Sequence, residues 1–430
     1  MIRTLRMTPR ATPARLFTAA IALLAPLAAG AADGYFLPRA SAESKYNDNW
    51  RLQPDDGGQE EISALGTFLD LSAQLGWRTP RSDISFMPRL RSSFFTDSED
   101  DDRLGSDDQF LRLSAYRESE KARYAIVGDY AHESVLTSEI AGIDPDDPVP
   151  DGGDTGRLDV RNDRERIVLR PSWAYRYSEQ TQFGLDYQYA DVSYDQELAG
   201  RHVDYTYNEA SANWSRQVTP RTLLNTRVFA GRFEADQIGN ESDSTGIDFE
   251  FNRQMTERVN GSLNIGAQRI DSEFLDPVTG MPASEENTSL LFGVGLRRAV
   301  TETTNWIANL SRRVNPNGTG FLVQTDQLLL TIDHAFGPRL RGNIGTRLFS
   351  IEAVEDNENV RFTDRNFARL EAGLEWSLTE TWSLFGRYSY TRQKFDRPPP
   401  VMPGGVMPGD EATANAISIG IAYQGKLPGR

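Results

Sequence analysis

The feature that most constrains this chain is a period of two in its hydrophobic residues, which recurs from about residue 35 onward. Leu328, Leu330 and Ile332 alternate with Gln327, Thr331 and Asp333. Ile417, Ile419, Ile421 and Tyr423 alternate with Ala416, Ser418, Gly420 and Ala422. In the stretch EWSLTETWSLFGRYSY (375–390), Trp376, Leu378, Trp382, Leu384, Tyr388 and Tyr390 fall at every second position on either side of a Thr-Glu-Thr turn. Side chains of a strand point to opposite faces in turn, so this pattern predicts strands with one apolar and one polar face. No comparable 3.6-residue period is found.

The connections alternate as well. Short ones share a flavour: TPRS (79–82), ESEK (118–121), SEQT (178–181), VTPR (218–221), MTER (255–258), VTET (300–303), GPR (337–339) and TET (379–381). Long polar ones fall between them, among them TDSEDDDRLGSDD (96–108), the segment around DPDDPVPDGGD (144–154), DSEFLDPVTGMPASEEN (271–287) and DRPPPVMPGGVMPGD (396–410). Counting from a strand near 35–47 to one at 414–424 gives eighteen strands, eight short turns and nine long loops. The phase of the alternation is ambiguous in 203–216 and 222–234.

The start of the chain reads differently. Arg3, Arg6, Arg10 and Arg15 precede the apolar run LFTAAIALLAPLAA, which leads to Ala29-Gly30-Ala31. A basic head, a short apolar middle and a small-x-small exit describe a secretory signal peptide over 1–31, leaving 32–430 as one domain. Its removal would take four arginines from a chain of formal net charge −16, leaving about −20. Such acidity argues against nucleic acid as a partner. The chain has no cysteine, so neither a disulfide nor an acylated Cys anchors it.

Propellers and sandwiches also repeat hairpins. A propeller, however, buries most strand faces, and a sandwich has no need for turns that alternate systematically between short and long. The expected fold is therefore all-β: a transmembrane outer-membrane β-barrel, an up-and-down antiparallel meander of about eighteen strands, with both termini on the periplasmic, short-turn side. Strands of ~9–11 residues would suffice to cross the apolar layer, and eighteen of them enclose a backbone diameter of ~35 Å. Trp77, Trp173, Trp214, Trp376 and Trp382 all lie on apolar faces close to short turns, where lipid-interface aromatics belong.

The segments YNDN (46–49), RLRSSFFTDSEDDDRLGSDDQFL (89–111), LRPSWAYRYSEQTQFGLDYQYADVSYD (169–195), SRRVNPNGTGFLVQTDQLLLTI (311–332) and LEWSLTETWSLFGRYSY (374–390) carry a family likeness. They resemble the porin-2-type β-barrel porins encoded in exopolysaccharide operons of Gram-negative bacteria. The resemblance implies a monomeric outer-membrane barrel serving polysaccharide secretion. Its partners would be outer-membrane lipid and lipopolysaccharide, polysaccharide and secretion machinery, and the barrel-insertion machinery that reads the last strand. In this sequence Tyr423 closes that strand and QGKLPGR follows it.

No catalytic constellation is evident. His132 and His202 fall in or beside loops, and His334 falls on an outward face, with no metal-ligand spacing among them. The acidic loops lack the calcium-hand spacing, and no cofactor is expected. The polar faces are more informative. If the apolar faces meet lipid, the lumen receives Arg89, Arg91, Arg112, Arg166, Arg170, Arg176, Arg347, Arg369 and Arg387, with Arg297, Arg313 and Arg341. It also receives Asp129, Asp186, Glu250 and Glu371, with Asp248, Asp333 and Glu375. Interleaved, these charges would brace the wall; concentrated near a constriction, they would sort permeants by charge. Arg89/Arg91 and the set Arg166, Arg170 and Arg176 are candidates for an anion-facing ladder. Most aromatics are expected to face lipid, with Tyr116 and Phe385 as inward exceptions. The alternatives to a polysaccharide conduit are a general or charge-selective diffusion porin, and a closed barrel serving as a surface scaffold.

Overall fold

The computed structural model describes residues 33–54, 61–96, 104–139, 162–196, 202–275, 281–354, 364–395 and 411–426. The signal-peptide reading of 1–31 and most of the acidic and Pro/Gly-rich loops therefore lie outside the described residues. The strands are β1 (Asp33–Asn47), β2 (Ala64–Thr79), β3 (Ser82–Phe95), β4 (Ser106–Glu118), β5 (Ala122–Ser134) and β6 (Asp163–Arg176). They continue as β7 (Thr181–Tyr194), β8 (Tyr205–Thr219), β9 (Thr222–Ala235), β10 (Asn240–Thr256), β11 (Val259–Leu275) and β12 (Pro282–Ala299). The last six are β13 (Thr304–Pro316), β14 (Leu322–Ala335), β15 (Leu340–Ala353), β16 (Arg365–Ser377), β17 (Trp382–Phe395) and β18 (Glu411–Gln424). One short helix, α1 (Val135–Glu139), follows β5.

Each strand pairs antiparallel with its sequence neighbours, and β1 also pairs with β18, from Arg39↔Gln424 to Asn47↔Ala416. The sheet is thus a closed eighteen-stranded barrel with no free edge. Strands run from 13 residues in β4 to 18 in β12, longer than a crossing requires.

All eight short turns are present, and their shared flavour has a physical cause. In seven of them a Ser or Thr hydroxyl at the first or second residue of the quoted stretch accepts from a backbone N–H two or three residues on. Thr379 Oγ1 accepts from Trp382 N at 3.0 Å, Thr79 Oγ1 from Ser82 N at 3.0 Å and Ser119 Oγ from Ala122 N at 2.9 Å. Ser178, Thr219, Thr256 and Thr301 do the same. The hydroxyl satisfies a turn donor that strand pairing leaves over. The eighth turn has Pro338, whose ring presets φ, in place of a hydroxyl.

Register gathers the apolar parity into a continuous outer belt. Leu328, Leu330 and Ile332 of β14 stand beside Leu348, Thr346 and Ile344 of β15, and beside Leu310, Ala308 and Trp306 of β13. These side chains are bare: Ile417 is 62% exposed, Leu290 66% and Ile419 68%. On the long-loop side the belt ends at a collar of outward ion pairs. Arg269 meets Glu286 at 2.8 Å, Arg312 meets Asp326 at 2.5 Å, Arg392 meets Glu411 at 2.7 Å and Arg232 meets Glu241 at 2.8 Å. On the short-turn side it ends among Trp77, Trp306, Trp376 and Trp382, all large exposed side chains.

The other parity faces inward, and its long-loop half is packed. Trp50, beyond β1, turns in to lie 5.2 Å from the Phe95 ring and 5.6 Å from the Phe68 ring. Asn49 Nδ2 donates to the Thr413 carbonyl at 3.1 Å, while Leu52 and Val135 bury Ala412 and Ala414 of β18. Across the barrel, residues 317–321 form a strap. Val203 N donates to the Gly318 carbonyl at 2.7 Å, and Asn240 Nδ2 donates to the Gly320 carbonyl at 2.7 Å. Gly320 has φ +91°, a backbone region costly for residues with a Cβ. The strap closes over Val192, Tyr205, Phe233 and Ile270, all buried.

Gly420 of β18 shows how tightly the inner wall is fitted, because a Cβ there would collide with the Phe385 ring and approach the Ala42 carbonyl at 2.7 Å. Gly420→Ala is expected to cost about 1–3 kcal/mol in urea unfolding from lipid vesicles. Gly337→Ala, with nothing within 4 Å of the new carbon, is expected to leave the unfolding midpoint unchanged.

Candidate functional site

The inward face is a large polar surface that the strands organise, and register decides which charges meet there. Asp70 of β2 faces β3, where Arg89 Nη2 contacts it at 2.6 Å. Asp129 of β5 is shared by two neighbours, Arg112 Nε at 2.8 Å and Arg170 Nη1 at 3.0 Å. Arg369 meets Glu371 at 3.0 Å on β16. Deeper on the long-loop side, Arg164 and Glu133 form a pair at 2.8 Å that is almost wholly buried. The cross-strand pairs among these brace neighbouring strands against each other, while Arg369 and Glu371 pair within one strand.

The remaining charges are not evenly mixed around the circumference. From β15 through β18 and on to β6, the inward positions hold Arg341, Arg347, Arg365, Arg369, Arg387, Arg39, Lys45, Arg89, Arg91, Arg112, Arg166 and Arg170. Carboxylates on that arc are fewer, among them Glu43, Asp70, Asp83, Asp108, Asp129, Glu133, Glu371 and Glu375. From β7 to β11 the order reverses: Asp186, Glu209, Asp248 and Glu250 face Arg227 alone. There Arg227 pairs with both Glu209 and Asp248, and Asn225 Nδ2 donates to Glu250 at 3.0 Å. The interior therefore has a basic wall from β15 to β6 and an acid–amide wall from β7 to β11, with Arg297, Arg313 and Asp333 on the strands between, and the two walls together set a field across the lumen.

The residues expected at the lumen from sequence do not form one site. Arg89, Arg91 and Arg387 line a single cavity of about 990 Å³ that opens among the short turns. Arg112, Arg170 and Asp129 form the adjacent braced cluster. Asp186 and Glu250 stand on the opposite wall, and Arg176 lies at the last residue of β6, on the rim. The three-arginine ladder on β6 is interrupted. Arg166 is only 7% exposed, and Arg170 is engaged by Asp129 and by Gln188 Oε1 at 3.2 Å. Arg347 is likewise buried and lies over the Phe349 ring at 5.9 Å.

Tyr116 and Phe385, expected as the clearer inward exceptions among the aromatics, have more company than that expectation allowed. Phe68, Phe110, Phe229, Phe233, Phe349 and Phe367 share the inward parity with charged residues of their strands. Several carry a guanidinium over the ring: Arg89 on Phe110 at 5.3 Å, Arg91 on Phe68 at 5.0 Å, Arg227 on Phe229 at 4.5 Å and Arg387 on Phe385 at 4.5 Å. An arginine stacked on an aromatic ring loses rotamer freedom while its N–H edges stay available. The inward rings escaped notice because a strand with apolar residues on both faces has no clean period of two.

Arg39 was also missed. It lies in β1, where the run GYFLPRASAES alternates too weakly to assign a face. Among the histidines, His202 is fully buried, stacked 4.9 Å from the Tyr194 ring, with Nδ1 3.0 Å from Asn162 Nδ2. His334 faces outward beside Thr304, its Nδ1 2.8 Å from the hydroxyl. Among the described residues no group of three or more His, Cys, Asp or Glu is placed to hold a metal ion.

No protein-family model and no curated protein matches the sequence. Solved structures do match in outline. Pseudomonas aeruginosa OccK2 (OpdF), in complex with glucuronate, is 11% identical with a TM-score of 0.45, covering 91% of this chain and 98% of that one. Pseudomonas aeruginosa OpdK with vanillate is 10% identical, with a TM-score of 0.44 and coverage of 90% and 98%. Acinetobacter baumannii OccAB3 is 11% identical, with a TM-score of 0.44 and coverage of 91% and 99%. The barrel assignment itself rests on the strand pairing.

The Arg164–Glu133 pair gives a direct test of bracing. Glu133→Gln is expected to destabilise the barrel by about 3–5 kcal/mol in urea unfolding, because it strips a buried guanidinium of its counter-charge. The double change Arg164→Met with Glu133→Leu is expected to recover most of that loss.

Proposed function

We propose that this chain is an outer-membrane β-barrel channel, with both termini periplasmic, that passes anionic solutes and serves as a conduit for an acidic exopolysaccharide. One observation carries the reading: a closed barrel whose outer parity is bare and apolar and whose inner parity is charged, with the charges segregated into a basic and an acid–amide wall. Bare leucines and isoleucines in water would be a large exposed apolar patch, and lipid is the medium that removes that cost. About four outward positions per strand at a ~40° tilt give a belt ~20–25 Å tall, matching the apolar band of an outer-membrane barrel. The outward collar of Arg232, Arg269, Arg312 and Arg392 with their carboxylates would then lie at the lipopolysaccharide headgroups, and the tryptophans at the periplasmic interface.

The polysaccharide service follows from the family resemblance and is supported by the basic wall facing the short-turn end. The second reading, a charge-selective porin for small solutes, draws support from the inward-turned segments around Trp50, Val135 and Gly318, which narrow the long-loop half. Interaction with lipopolysaccharide, with secretion machinery and with the insertion machinery through β18 belongs to the same proposal.

Reconstituted into planar bilayers, the mature chain is expected to give stable open steps with a reversal potential on the anion-selective side. Reversing Arg89, Arg91 and Arg387 to Glu is expected to lower the anion-to-cation permeability ratio severalfold. Block by acidic but not neutral oligosaccharides separates the polysaccharide reading from the small-solute porin. Silence from correctly inserted protein contradicts both.

A further inference from the structure

The cavity of about 990 Å³ at the short-turn end is more than a stretch of basic wall. Seven strands, β15 to β18 and β1 to β3, contribute to it, and five arginines line it: Arg39, Arg89, Arg91, Arg341 and Arg387. Arg89 alone is neutralised, by Asp70 at 2.6 Å. Among the described residues the other four make no ion pair within 4 Å. Three carboxylates, Glu43, Asp70 and Glu375, share the cavity, and the fourth, Glu380, is taken up at the rim by Lys426. The balance is positive, and the guanidiniums remain accessible to water rather than buried.

Two of these arginines are held in place. Phe385 lies against the wall because position 420 is glycine, and it supports Arg387 at 4.5 Å from its centroid. Phe68, wedged between Trp50 and Phe95, supports Arg91 at 5.0 Å. A guanidinium held over a ring keeps N–H groups free, and two of them can meet a planar carboxylate through parallel hydrogen bonds. Fixing the fork beforehand removes part of the ordering cost of binding. Asn343, beside Arg341, and the hydroxyls of Ser41, Ser72 and Ser383 add neutral hydrogen-bonding groups suited to sugar hydroxyls.

From this we infer that the cavity is a binding subsite for a carboxylate-bearing saccharide segment, with Arg341 and Arg387 on one flank and Arg39 and Arg91 on the other receiving successive carboxylates. The inference rests on the channel reading for its direction: the subsite stands at the short-turn mouth, where a chain leaving the periplasm would first meet the barrel. The packed long-loop half lies beyond it.

The test is calorimetric titration of the full mature chain in detergent micelles at low ionic strength, with trigalacturonate, maltotriose and inorganic phosphate as probes. Trigalacturonate is expected to bind saturably and at least tenfold more tightly than maltotriose or phosphate. Arg341→Gln and Arg387→Gln are each expected to weaken it about tenfold, while Arg269→Gln, on the outer collar, leaves it unchanged. Heat-modifiable migration in gels reports that each variant is still a folded barrel. Equal binding of maltotriose or of phosphate, or equal weakening by Arg269→Gln, overturns the subsite. A barrel that conducts anions but does not bind trigalacturonate keeps the channel and loses the subsite. One that binds but stays silent in bilayers keeps the subsite and loses the channel.

Discussion

The structure depends on one constraint: every strand must find a hydrogen-bonded neighbour on both sides, and the pairing of β1 with β18 meets it for the last two. Once the sheet is closed, inside and outside are fixed for all strands together. A shift of one residue in any register would carry arginines outward and leucines inward. The hydroxyl-capped turns hold the register at one end, as where Thr379 receives both the Thr381 and Trp382 N–H groups. At the other end the register is held by side chains that cross between loops, such as Asn240 on the Gly320 carbonyl.

The two ends of the barrel do different jobs as a consequence. On the short-turn side the interior keeps a cavity of about 990 Å³, lined by arginines that are not buried, and Phe385 lies flush with the wall because position 420 is glycine. On the long-loop side the interior is a folded core, with Phe349 stacked on Phe367 at 4.6 Å and Trp50 buried against Phe95. Among the described residues the barrel therefore has a basic cavity at its short-turn end and packed side chains at its long-loop end. That geometry joins fold to proposed function, since field and width are set by different elements.

Much of this was legible in the sequence, and the reasons are specific. Leu328, Leu330 and Ile332 could be read because an apolar outer face and a polar inner face leave a period of two. The short turns could be read because Ser and Thr recur at the position that caps a turn donor. Where the pattern failed, the interior was apolar too. Tyr205, Tyr207, Phe229 and Phe233 face the packed half, so β8 and β9 carry apolar residues on both faces and their phase was ambiguous. Which arginines share the cavity could not be read either, because Arg341 and Arg387 lie two strands apart in the meander and Arg39 joins them only when β18 meets β1.

In this barrel adjacent residues of one strand should face different media. The chain contains no cysteine, so single cysteines report their own positions. Cysteines would be placed at Leu330, Ile332 and Ile344 on one parity and at Asp333, Arg341 and Asn343 on the other, with the protein in lipid vesicles. The first set should resist a membrane-impermeant maleimide, and a fluorophore there should be quenched by nitroxide-labelled acyl chains; the second set should behave oppositely. Equal reaction of both sets from water, with no quenching by lipid at either, would contradict the account.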